Sequence, residues 1–169
     1  MRNWRVTVGP AERLWTPCQV RLMTSTPETP ARGQAPAGAL GRRLEHAGWA
    51  FETSVLERVL ERDPDNMEVL AALAETYTRM RRYRRGLELD KRLVAHDPRD
   101  PLFRYNLACS FSLTGDLDAA VESLRVAFEL GYRDFEHLRH DADLRRLRRD
   151  GRYEAVRQRM DQLGRQAGD

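Results

Sequence analysis

Apolar residues recur every three or four positions along most of the chain from Leu44 onward, which is the spacing of one face of an α-helix. Short polar turns divide this pattern into successive stretches, as in an all-α protein. The stretches predict five helices: one that ends before Pro64, one that ends near Met80, and three that run from about Tyr83 to Ala95, from Pro101 to Leu113 and from Leu117 to Gly131.

Capping residues mark several of the predicted helix ends. Asp65 precedes the second helix and Glu68 follows three positions later, which is the spacing of a capping box. Asp100 precedes Pro101, and proline suits the first position of a helix because an N–H there has no intrahelical partner. Gly131 can adopt the left-handed backbone that often ends a helix. These residues predict where the turns fall.

The predicted helices repeat at an interval of 34 residues. Two antiparallel helices approach closely only where one of them presents alanine or glycine, so such a register predicts repeated helix pairs. The segment 135–163 carries a weaker echo of the pattern at a shift of 36. The shift of 34 matches proline with proline, apolar with apolar, aromatic with aromatic and small with small residues: Pro64 with Pro98, Leu73 with Leu107, Ala74 with Ala108, Tyr77 with Phe111, and Gly86 with Ala120.

This register resembles the tetratricopeptide repeat, a helix–turn–helix unit of about 34 residues. The resemblance implies an all-α fold, namely a short α-solenoid of antiparallel helix pairs wound as a right-handed superhelix. Arg104 departs from the family pattern because an aromatic residue is usual there, and Asp90 stands where a large apolar residue is usual. The implied units are a half-unit at 44–66, full repeats at 67–100 and 101–134, and a degenerate cap at 135–163 that is similar to the closing segment of many bacterial family members.

The first 43 residues differ from the rest of the chain. They hold seven arginines and two glutamates, a net charge of +5, whereas residues 44–169 hold 22 basic and 24 acidic residues. Residues 24–43 are rich in Pro, Ala, Gly, Ser and Thr, so they bury too little apolar surface to offset their ordering entropy. We therefore predict a disordered basic tail at 1–43 and a helical domain at 44–163. Residues 1–22 are either a mis-called translation start or a small basic arm that binds an acidic partner.

The resemblance also implies a binding face, because the first helix of each unit lines a concave surface that binds a peptide or protein partner. A tyrosine hydroxyl beside an asparagine amide suits an extended peptide, although Tyr105 could instead pack against the neighbouring repeat. The groove positions of the family fall on Glu68, Ala71, Glu75, Thr78 and Arg79 in the first unit, and on Leu102, Tyr105, Asn106, Cys109 and Ser112 in the second. Our candidate partner-binding residues are Glu68, Glu75, Thr78, Tyr105, Asn106 and Cys109.

One subfamily uses cations and amides on this face to grip the C-terminal carboxylate of chaperones. Asn106 matches one member of that set. Ala71 and Glu75 occupy positions where a cation and an asparagine would be needed, and a glutamate there would repel a carboxylate. The carboxylate clamp is therefore absent from this chain.

Two arginine-rich stretches, 79–85 and 145–152, point to a different class of partner. Each holds five arginines, which together with the basic tail could neutralise phosphates of a nucleic acid. The helical domain is net acidic, however, and the first stretch falls on an inter-helix turn, where solvated arginines are common. An adaptor that binds protein is therefore our leading hypothesis, and a nucleic-acid-associated accessory protein is the alternative.

Sequence motifs for catalysis are missing, since the chain has no GxSxG, no Gly-rich phosphate loop and no HExxH. We therefore predict no enzymatic activity and no cofactor. His137 and His140 lie three positions apart, but no third ligand is fixed by spacing, so we predict no metal site. The two cysteines, Cys18 and Cys109, match neither a disulfide framework nor a zinc motif.

The composition indicates the cellular setting. Apolar residues make up 41% and charged residues 33% of the chain, and no apolar run approaches the roughly 18 residues that a membrane span needs. Lys91 is the one lysine among 29 basic residues, which suggests a GC-rich genome. We expect a cytoplasmic bacterial protein that is a monomer or a weak homodimer.

Overall fold

A computed structural model describes residues 38–166, and every regular element within that range is a helix. The all-α solenoid of paired helices is confirmed for this part of the chain. The eight helices are α1 (Ala39–Arg62), α2 (Met67–Arg79), α3 (Tyr83–His96), α4 (Pro101–Thr114), α5 (Leu117–Glu129), α6 (Phe135–His140), α7 (Arg145–Arg148) and α8 (Tyr153–Gln166).

The first helix begins earlier than the sequence pattern predicts. It starts at Ala39, so 39–43 are helical and do not belong to a disordered tail. Alanine and leucine at the first two positions of α1 favour this, because both are strong helix formers. The remainder of the predicted tail, and with it the alternatives for residues 1–22, lies outside the described residues.

The cap of α2 also differs from the prediction. Asn66, and not Asp65, begins the helix, since its side-chain oxygen accepts a hydrogen bond from the backbone N–H of Val69 at 3.1 Å. Glu68 therefore lies at the second helical position instead of the third, which removes the predicted capping box. The predicted caps at Asp100 and Gly131 are confirmed, because the Asp100 carboxylate accepts hydrogen bonds from the first N–H groups of α4 and Gly131 has a left-handed backbone with φ 105°.

The pairs α2–α3 and α4–α5 repeat the same packing 34 residues apart. Leu73 and its equivalent Leu107 are both buried. A Cβ at Gly86 would lie 3.3 Å from the carbonyl oxygen of Ala74, so α2 and α3 approach closely where glycine leaves room. Ala120 is the equivalent of Gly86 in the second pair and is fully buried. The predicted register therefore corresponds to real contacts between helices.

Helix α1 docks on the first pair through one of its two neighbouring apolar faces. Leu56 and Leu60 pack against the core of α2 and α3. The hydroxyl of Tyr77 in α2 donates a hydrogen bond to the carboxylate of Glu57, which ties the two helices together at the edge of this contact. The neighbouring face, which carries Phe51, points to solvent. Helix α1 thus packs on α2 and α3 as an additional helix before the first complete pair.

The hydrophobic core has two parts, and the hydrogen bond from Ser110 to Asp90 lies where they meet. One part lies between α1, α2 and α3 and centres on Leu70 and Leu93. The larger part joins α4 and α5 to the C-terminal segment and includes Phe128 and Met160. After α5 the pairing of long helices changes, because the two short helices α6 and α7 precede α8. The apolar residues of this segment nevertheless complete the larger core.

Candidate partner-binding surfaces

Three of the six candidate binding residues are buried by the protein itself. Tyr105, Asn106 and Cys109 retain 1%, 7% and 6% of their surface exposed. All three lie on α4, on the inner side of the second unit. The hydroxyl of Tyr105 donates a hydrogen bond to Oδ2 of Asp141 at 2.6 Å, and the thiol of Cys109 lies 3.5 Å from the same oxygen. The expectation of one open face over both units is therefore corrected.

The segment that follows α5 packs over this face and covers it. The hydroxyl of Ser112 donates a hydrogen bond to the backbone carbonyl of Asp143 at 2.8 Å. The ring of Tyr105 stacks on Tyr132 with the ring centres 4.4 Å apart, and the ring centre of His137 lies 5.8 Å from that of Tyr105. Burial raises the pKa of Tyr105, so its hydroxyl stays protonated and serves as a donor. The packing role that the sequence left open for Tyr105 is the one observed.

The other three candidates remain on the surface of the first unit. Glu68 is exposed at the start of α2, and Glu75 and Thr78 are half-buried further along the same side of the helix. Arg79 lies beside them, with one guanidinium nitrogen 3.1 Å from Glu52 of α1 and another 4.0 Å from Glu75. The ion pair with Glu52 links α2 to α1. This part of the inner surface is more exposed than its equivalent on α4.

A buried carboxyl group lies at the junction of the two units. Asp90 of α3 is 5% exposed and accepts a hydrogen bond from the hydroxyl of Ser110 in α4. Burial raises the pKa of Asp90 to about 7, the hydrogen bond from Ser110 opposes the rise, and the nearby charge of Asp143 adds to it. The equivalent position in the second unit is Leu124, which is fully buried. The departure at Asp90 therefore places an ionisable group where the repeat otherwise has leucine.

The two arginine stretches meet at one edge of the solenoid, where the turns within the helix pairs lie. The first stretch lines an open cavity of about 380 Å³. Leu113 and Thr114, at the end of α4, form the other wall of that cavity. The next residue, Gly115, has a left-handed backbone with φ 96° and lies against the guanidinium group of Arg146 from the second stretch. Residues about 60 positions apart thus contribute to one basic edge.

The arginines of this edge differ in their partners. Arg79, Arg85 and Arg152 form ion pairs with carboxylates. Arg148 donates hydrogen bonds to backbone carbonyls of the C-terminal segment. Within residues 38–166, no ion pair to a carboxylate is present for a further set of arginines at the edge: Arg81, Arg82, Arg84 and Arg146.

The histidines of the C-terminal segment contact carboxylates separately. His140 lies 3.1 Å from Glu136, while His137 lies 3.6 Å from Asp141. Across the part of the chain that the structure describes, no three metal-ligating side chains converge. Asp141 was not foreseen as the partner of Tyr105, because the two residues are 36 positions apart and only the fold brings them together.

No helix among residues 38–166 combines the length and apolar character that crossing a membrane would require.

Comparison with known proteins agrees with this architecture. Over 134 residues the chain is 25% identical to a chloroplastic protein of Arabidopsis thaliana, and the match covers 78% of this chain but 38% of that protein. The chain thus spans well under half the length of this curated relative. The solved structure of MamA MSR-1 C2 matches with a TM-score of 0.51 at 22% identity, over 67% of this chain and 60% of that one, which shows a shared fold.

The family model for the tetratricopeptide repeat matches residues 53–108, which run from the C-terminal half of α1 to the middle of α4. This range contains the first complete helix pair and the start of the second. Together with the observed packing at an interval of 34 residues, the match shows that residues 53–108 form tetratricopeptide repeats.

Proposed function

We propose that this protein is a non-catalytic adaptor that binds a protein or peptide partner on the open part of its concave surface, at α2. This surface comprises Glu68, Ala71, Glu75 and Thr78, which recur at helical spacing along one side of the helix. Proteins of the family generally act as scaffolds for other proteins, and the paired helices of this chain provide the same kind of surface.

One observation carries the proposal: the equivalent surface of the second unit is already occupied. The residues that match Ala71, Glu75 and Thr78 one repeat later are Tyr105, Cys109 and Ser112, and they are buried against the segment 135–150 through contacts with Asp141 and Asp143. Part of the protein's own chain thus packs along this row of positions in the second unit. The same row in the first unit stays open, and its carboxylates favour a partner with basic side chains or free N–H donors.

Site-specific cross-linking tests this proposal. A photoreactive amino acid at position 68 should yield cross-linked adducts with a discrete protein in the native cell. The same amino acid at position 88, which is also an exposed glutamate but lies on α3, is the matched control and should not. Once the partner is purified, Glu68→Arg should weaken its binding by about tenfold, roughly 1.4 kcal/mol, whereas Glu88→Arg should leave it unchanged. Equal adducts at both positions would contradict a site on α2.

The basic edge supports a second candidate, which is binding of a nucleic acid. The supporting observation is that Arg81, Arg82, Arg84 and Arg146 share one edge without carboxylate partners in the described residues. If this candidate holds, single-stranded RNA should bind at physiological salt, and Arg→Ala changes at 81, 82 and 84 should weaken binding at least tenfold and flatten its salt dependence. Arg157 and Arg159 on α8 are the control positions. Absence of RNA binding at physiological salt would contradict this candidate and leave the protein-binding adaptor as the proposed function.

A further inference from the structure

The outward face of α1 carries a continuous row of exposed apolar side chains, which we term the α1 stripe. Phe51 leaves 72% of its surface exposed, Leu40 69% and Leu44 65%. Residues three, four or seven positions apart share one side of a helix, so the row is a single surface. The stripe consists of Leu40, Leu44, Phe51, Val55 and Val59.

The C-terminal end of the solenoid, unlike the N-terminal end, exposes a polar surface. Helix α8 buries Val156, Met160 and Leu163, and its outward side is polar. Repeat solenoids require a polar outer face on their terminal units to remain in solution. Helix α8 supplies such a face and α1 does not. An exposed apolar row of this length therefore marks an interaction site. The exposed polar residues of α8 are Glu154, Arg157, Gln158, Asp161, Gln162, Arg165 and Gln166.

We propose that the α1 stripe is the interface of a symmetric dimer, in which α1 of a second copy packs antiparallel across it. A two-fold interface must be complementary to itself. The stripe meets this requirement about a point between Trp49 and Ala50. Its outer positions pair equally far from that point, so Leu40 faces Val59 of the partner subunit and Leu44 faces Val55 of the partner subunit. Large residues at one end thus meet smaller ones from the other end.

The middle of the stripe is complementary in shape as well. The residue that lies as far before the central point as Phe51 lies after it is Gly48. A Cβ added at Gly48 would meet no atom within 4 Å, so the space above this glycine is open. The exposed ring of Phe51 fills that space on the partner subunit, and the two contacts are related by symmetry. An aromatic ring over glycine permits close approach of the two helices.

Charge selects the antiparallel direction. Arg58 and Arg62 are exposed on the outward side of α1 near its C-terminal end. In a parallel pair each arginine would face its own copy, and like charges across an interface oppose association. In the antiparallel pair Arg58 faces Gly41 of the partner subunit, which carries no charge. The net charge of the whole chain is +3, so long-range repulsion between copies is small.

The size of the stripe sets the strength of the dimer. Helix α1 has 24 residues, so it is about 36 Å long and about 10–12 Å wide. Two such faces bury on the order of 1,000 Å² in total, which is at the lower end for a specific interface. The dimer should therefore form and dissociate with protein concentration. A second copy of this chain is sufficient to cover the whole α1 stripe.

Sedimentation of the full chain over a hundredfold range of concentration tests the interface. We expect a shift from monomer to dimer, and Phe51→Glu should raise the dissociation constant at least tenfold because it places a carboxylate against an apolar surface. Ala50→Glu is the matched control, since Ala50 is exposed on the same helix but outside the stripe. Circular dichroism should show that both variants stay folded. A monomer at every concentration, or a dimer that Phe51→Glu leaves intact, would overturn the proposal.

Disulfide trapping tests the register. Leu44→Cys and Val55→Cys are made separately in a Cys18→Ser chain, so that the remaining native thiol, Cys109, is buried. An oxidised mixture of the two variants should give a mixed disulfide dimer. Leu44→Cys alone should give no disulfide dimer. In the antiparallel pair, position 44 of one subunit lies about 16 Å from position 44 of the other along the helices. A disulfide between two copies of Leu44→Cys would indicate a parallel pair and would overturn the antiparallel arrangement.

Discussion

Replacing Leu144 with alanine should lower the free energy of unfolding by about 3–4 kcal/mol. Leu144 is fully buried in the larger core, although it lies in an irregular segment between two short helices. It packs in the same core as Tyr105 and Leu147, so its removal leaves a cavity at the point where the C-terminal segment meets α4. Urea unfolding followed by circular dichroism measures the change. An effect below about 1 kcal/mol would show that the segment is only loosely attached.

A control and a larger deletion extend this test. Arg145 is the next residue but is exposed, so Arg145→Ala should change the free energy of unfolding by about 0.5 kcal/mol or less. Truncation after Asp134 should remove most of the stability, because each deleted side chain contributes about 2 kcal/mol and a whole domain has about 5–15 kcal/mol. We expect a lower melting temperature and aggregation. The deleted buried apolar residues are Leu138, Leu144, Leu147, Val156, Met160 and Leu163.

Replacing Asp90 with leucine should stabilise the protein above pH 7, by about 2–3 kcal/mol. The folded state raises the pKa of Asp90 from 3.8 to about 7, which corresponds to about 4 kcal/mol of preference for the neutral form. Leucine has the same branched shape without the charge. The loss of the hydrogen bond from Ser110 costs about 1 kcal/mol of this gain. Leu124, the equivalent residue of the second unit, shows that a leucine fits such a position.

The dependence on pH gives this prediction a definite sign. Between pH 4 and pH 7 the folded protein holds a proton on Asp90 that the unfolded chain has released. The contribution of Asp90 to stability is therefore complete below about pH 4 and is lost as the pH rises to about 7. The difference in the free energy of unfolding between Asp90→Leu and the natural protein should grow over that window and then level off. A constant difference from pH 4 to pH 8 would contradict it.

Ser110→Ala separates the two contributions at this contact. The hydroxyl of Ser110 opposes the rise in the pKa of Asp90, so its removal should raise that pKa further and destabilise the protein chiefly at neutral pH. In the Asp90→Leu background the serine has no carboxylate to bind, and the same change should have little effect. The double-mutant cycle thus measures the coupling between the two side chains.

The amino-acid sequence by itself determined the helices and their repeat. The bounds of α3 and α4 were predicted to within a residue, and Asp100 was recognised as a cap. These features depend on interactions between residues at most four positions apart, and such interactions can be read from the chain directly. The equivalence of Leu73 with Leu107 followed from the constant interval. Asp90 stood out for the same reason, because it breaks the pattern of the repeat.

Only the tertiary structure decided which sides of the helices are covered. Tyr105 and Glu68 occupy comparable rows in the two units, yet one is buried beneath Asp141 and the other is exposed. The contacts that cover Tyr105 come from Tyr132, His137 and Asp141, which are distant in the chain, so no local pattern signals them. The same holds for α1, whose two apolar sides look alike in sequence. The helical period of a sequence shows which residues share one side of a helix. Whether that side is buried depends on the element that packs against it.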